Sequence, residues 1–184
     1  TNTYQSLSKV PLMIAQDAEW GLSMRIDSTI RYPWQMTLGA IQDDSLIYQM
    51  GLDVAEQCRR LGVHINFAPV VDVNSNPQNP IINNRSFGEN PYRVAQHSLA
   101  YMQGLQDGGV MACAKHFPGH GDTDSDSHKT LPPINHTFER LDTVDLIPFK
   151  ILFDRGLGSV MVAHLHIPII DDTDYLASTL SPKV

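Results

Sequence analysis

A chain of 184 residues is long enough for one domain with a real core, and 42% apolar against 18% charged residues argues against a disordered chain. The formal charge of −7, with no run of Lys or Arg, speaks against nucleic-acid and anionic-membrane partners and suits a neutral or cationic small molecule. No apolar stretch is long enough to span a bilayer.

Short apolar runs alternate with amphipathic segments along the chain. Thr1 to Lys9 is polar and has no signal-peptide pattern, although a targeting segment removed upstream would leave the same start, and the compartment stays open. Val10 to Ala15 reads as a buried strand that ends at Gln16-Asp17-Ala18-Glu19. Asp43 to Leu61 reads as a helix, with Leu46, Ile47, Met50, Val54, Cys58 and Leu61 recurring at helical steps and Gly62 as its stop. Val63 to Val73 contains a second strand. Pro91 to Asp107 is a second helix, with Val94, Ala95, Leu99, Met102 and Leu105 on one stripe and Gly108-Gly109 beyond it. Val110 to Ala114 is a third strand leading into Lys115 and His116. Phe138 to Val144 and Pro148 to Arg155 read as two helical pieces, the second started by Pro148. Ser159 to Ala163 is a fourth strand leading into His164 and His166. Cys58 and Cys113 lie in apolar patterns and read as buried thiols, with a single disulfide left open.

Apolar runs without polar alternation suit strands covered on both faces, and strand–helix–strand order implies an α/β fold with a parallel sheet. Asp17, Asp72, Lys115-His116 and His164 all stand at or just past strand C-termini. Both a (β/α)8 barrel and an open doubly wound sheet place their sites there. No dinucleotide or phosphate-loop glycine pattern is present. About four strand–helix units fall short of the roughly 250 residues of a full barrel, so the chain is either a smaller α/β domain or part of a barrel.

The segment Lys115 to Pro133, KHFPGHGDTDSDSHKTLPP, gathers three histidines and three aspartates beside Pro118, Gly119 and Gly121. Asp126 and His128 are two apart and would point to one side of an extended chain. A carboxylate holding one imidazole nitrogen leaves the other free to exchange a proton, the general acid/base arrangement. A solvated polar loop is the plain alternative, and a metal site drawn from His116, His120, His128, His164 and His166 is another, although no zinc spacing matches. Gly119 and Gly121 permit unusual backbone angles and loop movement.

Asp17 and Glu19 fit either a carboxylate pair on one face or helix-start acids. Arg85 is either a surface residue or a fork of donors for ligand oxygens. Trp20, Trp34 and Phe117 fit a sugar-stacking wall or the core. His64 and His97 read as structural, and His136 as loop surface.

KHFPGHGDTDSDSH resembles the signature loop of family 3 glycoside hydrolases, in the β-N-acetylglucosaminidase branch. PLMIAQDAEWG, INFAPVVDVNSNP, NNRSFGENP, DLIPFKILFDRG and SVMVAHLHIP agree with it in order and spacing, so the likeness covers nearly the whole chain. The resemblance implies part of a (β/α)8 TIM-type barrel with parallel strands, residues 1–184 forming a partial N-terminal catalytic domain. It implies retaining hydrolysis of terminal β-linked N-acetylglucosamine, with His128 as acid/base and Asp126 as its partner. Sugar hydroxyl contacts fall on Asp17, Arg25, Arg85, Lys115 and His116. No cofactor and no metal are implied; the expected partners are a small amino-sugar glycoside and the rest of the barrel.

Two departures stand out. Where the family often has Glu-Gly-Gly-Arg, this chain has Glu19-Trp20-Gly21-Leu22, with Arg25 matching a later arginine. The nucleophilic carboxylate of the retaining mechanism is expected on a strand beyond Val184, since Asp171, Asp172 and Asp174 do not match its context. A β-glucosidase or phosphorylase of the same family, a sugar-binding fragment without catalysis, and a metal-dependent hydrolase are the alternative readings.

Overall fold

A computed structural model describes residues 1–126 and 130–184. Four parallel strands form one sheet in sequence order: β1 (Ala15–Gln16), β2 (Ile65–Asn66), β3 (Met111–Phe117) and β4 (Ser159–Val162). Each consecutive pair is joined through a helix, as parallel pairing demands. Those crossovers are α3 (Asp44–Arg60), α4 (Pro91–Asp107) and α6 (Leu146–Asp154). Among the described residues there are also three short α-helices, α1 (Asn2–Leu7), α2 (Gln35–Leu38) and α5 (Phe138–Arg140), and two 3-10 turns at Leu22–Met24 and Asn83–Arg85. The fold is α/β, and its sheet is the unclosed arc of a TIM-type barrel, with β1 and β4 at its edges.

Local chemistry explains where the crossover helices start. The Asp43 side chain accepts from Ser45 N, capping α3, and Asn90 accepts from Tyr92 N and Arg93 N ahead of Pro91. Such caps each contribute about 1 kcal/mol. The apolar stripes of α3 and α4 face the sheet, where Val54, Ala55, Cys58, Tyr101 and Leu105 are buried with Ala112, Ala114, Phe149 and Leu152. Leu46 is the exception, since it points to solvent. Cys58 and Cys113 are buried free thiols.

Pairing differs from the sequence expectation at two places. The run from Val10, expected as a buried strand, pairs in the sheet only at Ala15, and Val10, Leu12 and Met13 are 72%, 38% and 69% exposed. An edge strand has a partner on one side only, so the run's apolar character outlasts its pairing. The pieces around Pro148 form one continuous helical stretch, because a π-turn at Leu141–Asp145 joins α5 to α6. Pro148 has no N–H for the helical ladder, and the wider turn ends three residues before it.

Candidate active site

The C-terminal ends of β1, β2 and β3 converge on one cleft of about 560 Å³, lined by Asp17, Glu19, Trp20, Arg25, Trp34, Arg85, Lys115, His116 and His120 among others. Main-chain contacts set the position of the β1 end. Asn66, closing β2, bonds both the N–H and the carbonyl of Ala18 at 3.0 and 3.1 Å. The Tyr101 hydroxyl from α4 lies 3.1 Å from the carbonyls of Ala18 and Glu19, and Gln35 donates to the latter at 2.8 Å. Asp17 and Glu19 are thereby held beside the end of β3.

Lys115 sits at the end of the buried run of β3 and is only 2% exposed. Its ammonium bridges Asp17 Oδ1 at 2.7 Å and Glu19 Oε1 at 2.8 Å. Asp17 Oδ2 accepts from Arg25 Nη2 at 2.7 Å. Glu19 takes a two-pronged bond from Arg85, 2.7 Å from Nη2 and 3.0 Å from Nε. Arg85 Nη2 approaches His116 Nε2 at 3.4 Å, and His116 Nδ1 lies 2.7 Å from Asp72 Oδ2. A continuous network therefore runs Arg25–Asp17–Lys115–Glu19–Arg85–His116–Asp72.

The electrostatics follow from burial and pairing. Burial works against charge on Asp17 and Glu19, but Lys115, Arg25 and Arg85 outweigh it and hold both carboxyls below the usual range. Burial likewise opposes charge on Asp72, which accepts from the backbone N–H of His116 and of His120 and stands beside the His116 ring; these neighbours win and lower it. Arg85 is desolvated too, yet Glu19 raises it further and keeps it cationic. Burial pushes the His120 imidazole toward its neutral form. Its Nδ1 lies 2.6 Å from Thr123 Oγ1.

Asp17, Arg25, Arg85, Lys115 and His116 are thus brought together in one cleft. Glu19 and Asp72 are two further members. Glu19 is the buried counter-charge for both Arg85 and Lys115, so it is no helix-start acid. Asp72 is the buried orienter of His116; its signal was a carboxylate ending an apolar run. Trp20 and Trp34 line the cleft with ring centroids 4.1 Å apart, whereas Phe117 packs edge-on against Phe149 in the core. The tryptophan wall offers an apolar face beside many donors and acceptors.

Asp126 is half-buried on the segment after β3, and its carbonyl accepts from Thr130 N at 3.0 Å. His128 lies outside the described residues. His136 departs from the sequence reading: rather than loop surface, it is a half-buried partner of the Asp122 carboxylate. His164 bonds Thr179 Oγ1, and His64 Nδ1 accepts from Ile14 N.

The model of the glycosyl hydrolase family 3 N-terminal domain matches residues 1–184. Beta-hexosaminidase A of Pseudoalteromonas piscicida is 40% identical over 180 residues, which is 95% of this chain and 30% of that protein. A family 3 β-N-acetylglucosaminidase from Paenibacillus sp. str. FPU-7 superposes with a TM-score of 0.88 at 42% identity, over 94% of this chain and 33% of that one. NagZ from Neisseria gonorrhoeae, in complex with N-trifluoroacetyl-D-glucosamine, superposes with a TM-score of 0.85 at 36% identity, over 92% and 52%. The chain therefore spans from under a third to about half the length of these relatives. It belongs to glycosyl hydrolase family 3.

Proposed function

We propose that the protein is a retaining glycoside hydrolase that releases terminal β-linked N-acetylglucosamine, with Asp126 and His128 as its acid/base dyad. The observation that carries the reading is the cleft itself. Five side chains from three strand ends meet there in one hydrogen-bonded network, beside a tryptophan wall, with charges already paired. Such a site offers directional bonds to neutral hydroxyls more than net attraction to an ion. The relatives named above, a hexosaminidase and an N-acetylglucosaminidase, support the amino-sugar class.

In this reading Asp17, Arg25, Arg85, Lys115 and His116 hold the sugar. Asp126 orients the His128 imidazole, which is protonated at the start. His128 gives its proton to the glycosidic oxygen as that oxygen leaves the anomeric carbon, while a carboxylate on the opposite face forms the new bond to that carbon. Neutral His128 then takes a proton from water, the water oxygen attacks the anomeric carbon, and the carboxylate is released. The attacking carboxylate comes from a later strand end. Asp171 does not suit it, being occupied by Ser181, Thr173 and Lys183. An imidazole has an ordinary pKa of about 6.5, close to neutral working conditions.

In the full-length protein, His128→Ala is expected to lower kcat on an aryl N-acetylglucosaminide by about 10²–10⁴-fold with little change in Tm. Unchanged turnover removes the dyad. Faster turnover of the matching aryl glucoside would move the substrate class to β-glucosides. A sugar phosphate as product in phosphate buffer would make the enzyme a phosphorylase.

A further inference from the structure

The segment after β3 leaves the sheet and returns to it by two limbs, each fixed to a different neighbour. The outgoing limb is tied to the segment after β2. His120 N donates to Asp72 Oδ1 at 2.7 Å, Asn79 Nδ2 donates to the His120 carbonyl at 2.8 Å, and Asn76 Nδ2 donates to the Thr123 carbonyl at 3.3 Å. Gly121 lies so close to that segment that a Cβ there would stand 1.8 Å from the Val73 carbonyl oxygen. The returning limb is tied to the segment after β4. Ile134 N donates to the His166 carbonyl at 2.8 Å, and His166 N donates to the Pro132 carbonyl at 2.9 Å. Between these limbs lies the stretch containing Asp126 and, outside the described residues, His128.

One side-chain pair joins the limbs directly. Asp122 Oδ2 on the outgoing limb bonds His136 Nε2 on the returning one, closing a span of 14 positions. Both side chains are about three-quarters buried. The pair lies outside the sugar cleft and borders a separate hollow lined by Asn76, Thr123 and Pro133. Arg140 and the buried Asp145, 2.8 Å apart, lie nearby, and Asp145 senses the charge of both Asp122 and His136.

We propose that Asp122 and His136 are positioning residues: their carboxylate–imidazole pair clamps together the two limbs of the segment that bears Asp126 and His128, and so sets the reach of that dyad to the sugar. The proposal rests on the acid/base reading above. A clamp fixes the ends of a span without touching its ligand, and closing a loop removes alternative placements of everything on it. A displacement of about 1 Å at a catalytic group costs up to about 10²-fold. The sugar contacts, held by the strand ends, stay where they are.

The test uses the full-length protein with Asp122→Asn, His136→Gln, the double variant and His128→Ala. The substrates are a phenyl and a 2,4-dinitrophenyl N-acetylglucosaminide. The clamp variants are expected to lose about 10–100-fold in kcat on the phenyl glycoside, with KM and the inhibition constant of N-acetylglucosamine little changed. The dinitrophenyl glycoside needs no proton on its leaving group, so its glycosylation step is spared. Added azide, which attacks the glycosyl-enzyme without a general base, should restore its turnover and yield a glycosyl azide. The double variant should be no worse than the poorer single one, since both break the same link. Wild-type kcat in the clamp variants beside a crippled His128→Ala overturns the clamp and leaves the dyad standing. Wild-type kcat in His128→Ala overturns the dyad and the clamp with it. Parallel losses in kcat and KM with a lowered Tm, no leaving-group dependence and no azide response make the pair a plain structural contact and overturn the proposal too. His136→Gln replaces the ring with an uncharged amide that no longer makes the carboxylate–imidazole pair with Asp122, so the test survives if Asp122→Asn fails to fold.

Discussion

Asp72 does not line the cleft, yet three donors converge on its buried carboxylate: the His116 and His120 amides and the His116 ring. Removing it strands all three in the interior. Asp72→Ala is therefore expected to cost about 3–5 kcal/mol, measured by denaturant unfolding. Asp17 behaves differently, since its carboxylate is a third exposed and faces the open cleft. Asp17→Asn is expected to cost less stability than Asp72→Ala, because Lys115 keeps Glu19 as a partner, and to weaken N-acetylglucosamine binding by about 10–100-fold, the worth of a charged hydrogen bond, as read by calorimetry. Asp17, Lys115 and His116 were legible in sequence because each ends an apolar run. Glu19 was legible only as one of two alternatives, a carboxylate pair with Asp17 or a helix-start acid, because the arginine that fixes it is 66 positions away. His136 was missed for a similar reason: its partner is on the opposite limb, and no periodic pattern leads to it.

At the scale of elements, α3 and α4 were readable because their caps, stripes and stops all agree. The shortness of β1 and β2 was not, since apolar character reports burial and says nothing about how many residues find a ladder partner. The π-turn before Pro148 was hidden as well, because proline reads equally as a helix start. The α3–α4 crossing hides a further requirement. Gly51 and Gly104 meet there, and a Cβ on Gly104 would stand 2.1 Å from the Tyr48 carbonyl oxygen. Gly104→Ala must push two backbones apart, so despite alanine's better helix propensity it is expected to destabilise by about 1–3 kcal/mol, checked by thermal unfolding.

For the whole molecule, the arc of four parallel strands places the cleft residues that follow β1, β2 and β3 on one rim, and the alternation of the sequence was enough to imply the parallel α/β sheet. Stability against pH is also a property of the whole. Asp17, Glu19 and Asp72 have lowered folded values, so their contribution is present above about pH 4 and fades as acid titrates them. Asp145 has the opposite sign. Burial, only partly offset by Arg140, pushes it up to about 6. Its contribution is full below its ordinary value of 3.8 and is lost as pH rises through about 6. Asp145→Asn is expected to flatten the fall of Tm between those two values, compared with wild type by calorimetry across that range. The Arg25–Asp17–Lys115–Glu19–Arg85 chain alternates in sign, with contacts of 2.7 to 3.0 Å. Those spacings lie far inside the screening length of about 8 Å at physiological ionic strength. Added salt therefore has little to loosen in the cleft and no net attraction to a neutral sugar to erase, so the affinity for such a ligand should be nearly the same in dilute buffer and in brine.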